Sequence, residues 1–247
     1  SVRALGMGNA YTAVVSDGDA LFYNPAGLGK AGGFDWTIFD PRIGLDGLTV
    51  LQALQDYQSS SNFVTFLNNL YGKHIWLGAG AKSVLRVSSL AAAIYTSADA
   101  SVDLSNPAYP YMNLNYFADL GYAAGGAIPF IPQVFYLGMT ARRITRTGTN
   151  LPLGPSSLAT LTNSAIQAQL ANRGVGYGLD LGLVLTLPSP IKPTLSFTWR
   201  NAGVTQFTLE SGTTAPDRIM DEMILGAALE IDVPLMTITP SSDYRHL

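Results

Sequence analysis

The chain has 247 residues, 17 acidic and 14 basic, for a formal net charge of −3. Charged residues make up 13% of it, where about 25% is typical of a soluble domain, while 47% is hydrophobic and the mean hydropathy is +0.21. So few charges cannot cover a water-facing surface in the usual way. The small negative charge gives no reason to expect a nucleic-acid partner, and the absence of cysteine rules out a disulfide scaffold or a thiolate metal site. A helical membrane protein would need apolar runs of roughly 18 residues. The nearest candidate, Gly121 to Ile131, is short, Gly-rich and broken by Pro129. Since a chain that crosses a bilayer must satisfy its backbone internally, as a helix or a closed barrel, high apolarity without such a run predicts a barrel.

Residues 1–33 do not read as a strand. The segment is rich in small residues, with Gly6, Gly8, Gly18, Gly27, Gly29, Gly32 and Gly33, and Asn24-Pro25 is a turn initiator. A compact irregular piece enclosed by a barrel is permissible because protein, not lipid, surrounds it. The spacing of Asp17, Gly18 and Asp19 does not fit a calcium loop, and a plain turn is expected there.

From residue 34 onward the pattern is alternation, the period of a strand. The reading gives nine strands: 34–45, 75–85, 88–104, 114–128, 134–147, 174–187, 193–205, 222–233 and 235–245. In 178–187 one face is Leu179, Leu181, Leu183, Leu185 and Leu187, and the other is Gly178, Asp180, Gly182, Val184 and Thr186. Leu195, Phe197 and Trp199 alternate with Thr194, Ser196, Thr198 and Arg200, and Met223, Leu225 and Ala227 with Glu222, Ile224 and Gly226. Asp180, Arg200, Glu222, Glu230 and Asp232 are expected on inward faces, keeping a lumen wet or pairing across strands. The 75–85 strand is inferred from loop parity, since 85–88 contains no Gly or Pro, and a helix competes with it. Runs of this length exceed the strands of soluble sheets, which average about 5–6 residues, and suit tilted membrane strands of about 9–11. A soluble sandwich or lipocalin-like barrel explains the alternation but not the length or the scarcity of charge.

Two gaps, 50–71 and 156–170, carry helical spacing, for example Leu51, Leu54 and Tyr57, or Leu158, Leu161 and Ala165. They are expected to pack on the barrel rim or to form an apolar landing site at its mouth. Nine is odd where bacterial single-chain barrels are even, so further C-terminal strands are expected.

The block Ala4-Leu5-Gly6-Met7-Gly8-Asn9-Ala10, followed by Asp19-Ala20-Leu21-Phe22-Tyr23-Asn24-Pro25-Ala26-Gly27-Leu28, resembles the opening of the FadL (long-chain fatty-acid transporter) superfamily, which includes the PorV-like barrels of the type 9 secretion system. The resemblance covers about 25 residues. It implies an all-β, antiparallel up-and-down transmembrane barrel in the bacterial outer membrane, of about 14 strands when complete. Residues 1–33 would be a hatch inside the lumen and 34–247 barrel. By the same resemblance Phe22, Tyr23, Asn24, Pro25 and Ala26 are hatch and ligand-binding elements. The implied function is passive uptake of hydrophobic small molecules such as long-chain fatty acids, with membrane lipid as partner. The alternative is a barrel that docks other outer-membrane or secretion proteins through loops such as 148–173 and 206–221. No enzyme activity, metal or cofactor is expected, because the two histidines, His74 and His246, read as interfacial or solvated rather than as members of a catalytic triad.

Overall fold

The computed structural model describes residues 2–30, 32–46, 74–105, 111–154 and 171–245. The two helical stretches expected at 50–71 and 156–170, and His246, lie outside the described residues. A short helix α1 (Val2–Gly6), a single turn α2 (Ala20–Tyr23) and a 3₁₀ turn (Pro25–Gly29) precede the strands. These are β1 (Phe34–Leu45), β2 (His74–Val87), β3 (Leu90–Ser105), β4 (Tyr111–Ile131), β5 (Phe135–Leu153), β6 (Arg173–Thr186), β7 (Thr194–Arg200), β8 (Phe207–Ser211), β9 (Glu222–Ala228), β10 (Ile231–Val233), β11 (Met236–Ile238) and β12 (Ser241–Arg245).

The protein is all-β and antiparallel. One ten-stranded sheet runs β1-β2-β3-β4-β5-β6-β7-β9-β12, with β8 paired to β6, and β10-β11 form a separate hairpin. Among the described residues β1 and β12 do not pair with each other, so the sheet is open along its two edges.

The sheet must nevertheless curve. The N–H of Tyr11 donates to Asp243 on β12 (3.1 Å), and the N–H of Gly18 donates to Asp35 on β1 (3.4 Å). Laid flat, the eight strand spacings between those edges would measure about 38 Å. Seven residues of chain reach at most about 25 Å, and the Tyr11 hydroxyl shortens the span further by bonding Asp17 (3.2 Å). The two edges are therefore drawn toward each other across the segment that holds Tyr11 and Gly18.

The two faces of the sheet differ sharply in chemistry. Cross-strand register fixes which residues share a face: Ile128, Leu137, Leu183, Phe197, Leu225 and Tyr244 form one continuous outer row. The inner face carries Asp35, Asp40, Arg42, Lys82, Asp99, Asp119, Arg142, Arg146, Asp180, Arg200, Glu222, Asp243 and Arg245. On the nine strands of the continuous path, only Arg143 and Arg173 put a charge on the outer face. Burial follows the same division. Thr140, Asp180, Ser196 and Thr198 are buried, while Leu195, Tyr122 and Leu225 are about half exposed. This is the reverse of a water-soluble sheet.

The core lies between the inner face and the N-terminal segment. The segment supplies the large side chains, Tyr11, Val15, Leu21 and Leu28, and the sheet mostly small ones, Ala91, Ala93, Ala123 and Ala127, with Val84. Burying Leu21 and Leu28 contributes roughly 2–3 kcal/mol each.

Several sequence expectations need correction. The strand expected at 193–205 ends at Arg200, because Asn201, Gly203 and Val204 take positive φ (50°, 82° and 66°) and bulge the chain before β8 resumes the pairing with β6. The strand expected at 222–233 leaves the sheet after Ala228, and that at 235–245 splits into β11 and β12. Glu230 and Asp232 consequently do not share the inward face; both bind Lys192, at 2.6 and 3.1 Å. The 75–85 segment is a strand, not a helix. Its turn needs no Gly or Pro, because Ser88 itself adopts a φ of 55° between the paired ends Val87 and Leu90.

A positive φ at the first central residue of a two-residue hairpin is the type II′ pattern that glycine satisfies without strain. Ser88→Gly keeps the N–H that donates to Gly33 and should stabilise the fold by about 1 kcal/mol, read as a higher denaturant midpoint. An unchanged or lower midpoint would show that Ser88 carries no strain.

Candidate functional site: the N-terminal segment and its cavity

The Asn24-Pro25-Ala26 motif is a docking element. Asn24 is extended (φ −156°, ψ 106°) and caps the 3₁₀ turn: its Oδ1 accepts from the Ala26 N–H at 3.1 Å, and Pro25 occupies the first position, where no N–H is needed. Its Nδ2 donates to the Thr12 and Leu183 carbonyls, both at 3.2 Å. The fully buried amide thus ties the turn both to an earlier part of the segment and to β6.

Two glycines make this approach possible. Gly138 on β5 and Gly182 on β6 face each other in register. A Cβ on Gly138 would lie 2.2 Å from the Ala26 nitrogen, and one on Gly182 would lie 2.1 Å from Asn24 Oδ1. No side chain fits at either position, so the motif rests directly on the strand backbones.

A second anchor lies at the far edge. Asp243 on β12 accepts from the Tyr11 and Thr12 backbone N–H groups (3.1 and 3.3 Å) and from the Thr12 hydroxyl (2.8 Å). The Thr12 hydroxyl also bonds Ser196 on β7 (3.1 Å) and lies over Gly226 of β9. On the opposite side Asp19 pairs with Lys82 of β2, and Phe22 packs edge-on against Tyr95 of β3, ring centres 5.3 Å apart. Asp17 and Asp19 form a simple turn closed by the Asp19 N–H on Asp17 Oδ1 (3.0 Å). Burial pushes the Tyr11 phenol well above its ordinary range, with Asp17 adding to the effect, and burial raises Tyr23 too. Both stay neutral and can donate.

Beside the segment lies a cavity of about 440 Å³. Phe22, Tyr23, Val2 and Leu5 give it apolar wall, and Arg42, Lys82, Arg142, Arg200 and Arg245 line it with cations against one acid, Asp40. Most of these cations are held from behind. Arg142 binds Asp180 (2.7 Å) and Asn201 (2.6 Å), and Asp180 also accepts from the Asn201 N–H (2.7 Å). Arg200 binds Glu222 (3.2 Å), Arg245 donates to the Asn9 carbonyl (2.8 Å), and Lys82 reaches Asp40 (3.4 Å). Among the described residues Arg42 has no carboxylate at ion-pair distance, and the buried Nε atoms of Arg142 and Arg200 have no hydrogen-bond partner. These contacts fix Arg142, Arg200, Arg245 and Lys82 in place, and the exposed Arg42 guanidinium keeps its donors for the cavity.

The structure therefore brings Phe22, Tyr23, Asn24, Pro25 and Ala26 together but divides them. Phe22 and Tyr23 line the cavity, while Asn24, Pro25 and Ala26 hold the segment on β5 and β6. Sequence reasoning missed Gly138, Gly182, Asp243, Arg42, Lys82, Arg142 and Arg245. The small inward face of β6 was a visible signal for Gly182; nothing in the local pattern around Asp243 marks it as an anchor. His74 begins β2 beside Asp103, with about half its side chain exposed. Among the described residues no three His, Cys, Asp or Glu side chains converge as metal ligands, and no helix is long and apolar enough to cross a membrane. No family model, curated protein or solved structure matches the chain.

Gly182→Ala should unseat the Asn24 turn, since the new methyl meets the Asn24 side-chain amide, which three hydrogen bonds hold in place, and the Ala26 backbone nitrogen. The expected cost is about 1–3 kcal/mol, with residues 2–30 becoming protease-sensitive while the strands stay protected. Retained protection would mean the glycines are not what seats the segment.

Lys30 supplies a pH test. Its ammonium donates to the Ala13 carbonyl, and burial lowers its pKa from 10.5 to about 8. Between pH 8 and 10.5 the unfolded chain binds the proton that the folded chain has released, so stability rises with pH across that window. The gain should reach at most about 3 kcal/mol and should vanish in Lys30→Met, compared by denaturant midpoints at pH 7.5 and 10.

Proposed function

We propose that the chain forms part of an outer-membrane β-barrel of the FadL and PorV-like kind, with residues 2–30 as a plug inside the lumen, and that it admits hydrophobic small molecules bearing an anionic end, such as long-chain fatty acids. The observation that carries the reading is the inverted polarity of the sheet. Leucine and aromatic side chains face out, charges and hydroxyls face in, and a compact segment fills the inside. Lipid on the outside is the environment that makes such a surface stable. The Asn-Pro-Ala turn at the centre of the segment supports the family resemblance, which rests on residues 4–28 alone.

The cavity favours an amphiphile over a pure hydrocarbon. Each methylene buried against Val2, Leu5 and Phe22 contributes about 0.8 kcal/mol, and Arg42, which has no carboxylate partner among the described residues, suits a carboxylate. Passage past the plug would require the segment to populate a second arrangement. One observation favours the docking reading instead: the segment touches every strand of the continuous path, from Asp35 on β1 to Asp243 on β12, and a plug so seated resists movement.

Purification from native outer membranes, with lipid and intact-protein mass spectrometry on the same sample, separates the two. A co-purifying fatty acid, together with a loss of fatty-acid affinity of about tenfold or more in Arg42→Gln, supports uptake. A lipid-free barrel with a stoichiometric protein partner overturns it in favour of docking.

A further inference from the structure

Among the described residues the outer face carries one charge that no other group answers. Arg143 on β5 is exposed and has no hydrogen bond or ion pair among the described residues. The other outer-face cation, Arg173, is matched by Glu210 at 2.8 Å. Cross-strand register sets Arg143 directly between Tyr122 of β4 and Tyr177 of β6. Both tyrosines stand outward, 48% and 72% exposed. The row is therefore tyrosine, arginine, tyrosine on three adjacent strands.

On β5 and β6 the chemistry changes across this row, while the outer face of β4 continues with Leu120, Ala118 and Tyr116. Toward the 188–192 turn, β6 presents Leu179, Leu181, Leu183, Leu185 and then Leu187, and β5 presents Ala141, Met139 and Leu137. In the other direction β5 presents Thr145, Thr147 and Thr149, and β6 ends on the Arg173–Glu210 pair. From Tyr177 to Leu187 is about 33 Å along the strand, which a tilt of about 40° reduces to about 25 Å of height. That is the height of the apolar band of a membrane barrel, about 25 Å. The far end of the band is capped by a second charged group, Lys192 held by Glu230 and Asp232.

Resting on the membrane reading above, we propose that Tyr122, Arg143 and Tyr177 mark one bilayer boundary and form a site for the phosphate of an anionic lipid headgroup. The guanidinium supplies charge and a planar fork of donors that matches phosphate geometry. The two phenols place amphipathic rings at headgroup level, where tyrosine is favoured. Inside the apolar band an unpaired arginine would cost about 2–4 kcal/mol, whereas at the boundary it costs about 0–1. The position of Arg143 at the top of the leucine band, and not within it, follows from that difference.

Because the chain has no cysteine, single sites can be labelled. Leu183→Cys and Thr147→Cys, each carrying a bimane, are reconstituted in phosphatidylcholine vesicles with 25% phosphatidylglycerol and quenched by lipids spin-labelled at the headgroup or at acyl carbon 12. The label at 183 should be quenched by the acyl probe, and that at 147 only by the headgroup probe. Quenching of neither would overturn the membrane reading itself. Quenching of both by the acyl probe would leave that reading intact and overturn the boundary. Association of spin-labelled phosphatidylglycerol, measured relative to phosphatidylcholine, should fall about fivefold in Arg143→Gln and be largely retained in Arg143→Lys. Equal selectivity in wild type and Arg143→Gln would overturn the headgroup site while leaving the boundary standing.

Discussion

The arrangement depends on how the inner face of the sheet is satisfied. That face carries acids and bases from nearly every strand, and buried charges are tolerable only when paired and hydrogen-bonded. Some pairs form between neighbouring strands, as Arg146 does with Asp119, at 2.8 and 2.7 Å, and Arg142 with Asp180. Others need the N-terminal segment. Lys82 finds Asp19 there, and Asp243 finds the backbone N–H groups of Tyr11 and Thr12. The segment and the curled sheet thus satisfy each other, and neither is complete alone.

Close contact is what lets so short a segment do this. Each anchor sits over a glycine or a row of alanines: Asn24 over Gly182, Ala26 over Gly138, Thr12 over Gly226, Leu21 over Gly125. Where the strands lack side chains the segment can hydrogen-bond to strand backbone, as Asn24 does to Leu183. Where they carry charges, the space beside the segment opens into the cation-lined cavity. Glycine placement on β5 and β6 and arginine placement on β1, β5 and β7 therefore divide the interior into a seat and a chamber.

The outer face obeys a simpler rule. Apolar side chains repeat without interruption over the leucine rows of β6, β7 and β9, and charge appears only where those rows end. An unpaired arginine between two tyrosines and a fully paired cluster at Lys192 lie at opposite ends of the leucine row of β6. The bulge at Asn201, Gly203 and Val204 lies near the same upper level. There Asn201 also accepts from Arg142 and so couples the strand break to the cavity wall.

The sequence by itself determined the strand character and its inverted polarity. Alternation has a period of two, and a leucine face opposite a glycine and hydroxyl face states which side is apolar before any neighbour is known. The Asn-Pro turn was legible for the same local reason, since capping and a fixed φ act within a few residues. What only the tertiary structure decided was pairing across long separations. Asp243 meets Tyr11 over 232 residues, Gly182 meets Asn24, and Ser88 accepts a left-handed backbone because β2 and β3 pair on either side of it. The ends of β7 and β9 were likewise set by a bulge and a hairpin whose geometry depends on the neighbouring strands. Such contacts leave no local period in the chain, because their energy is realised only once the sheet has curled and brought its two edges to one segment.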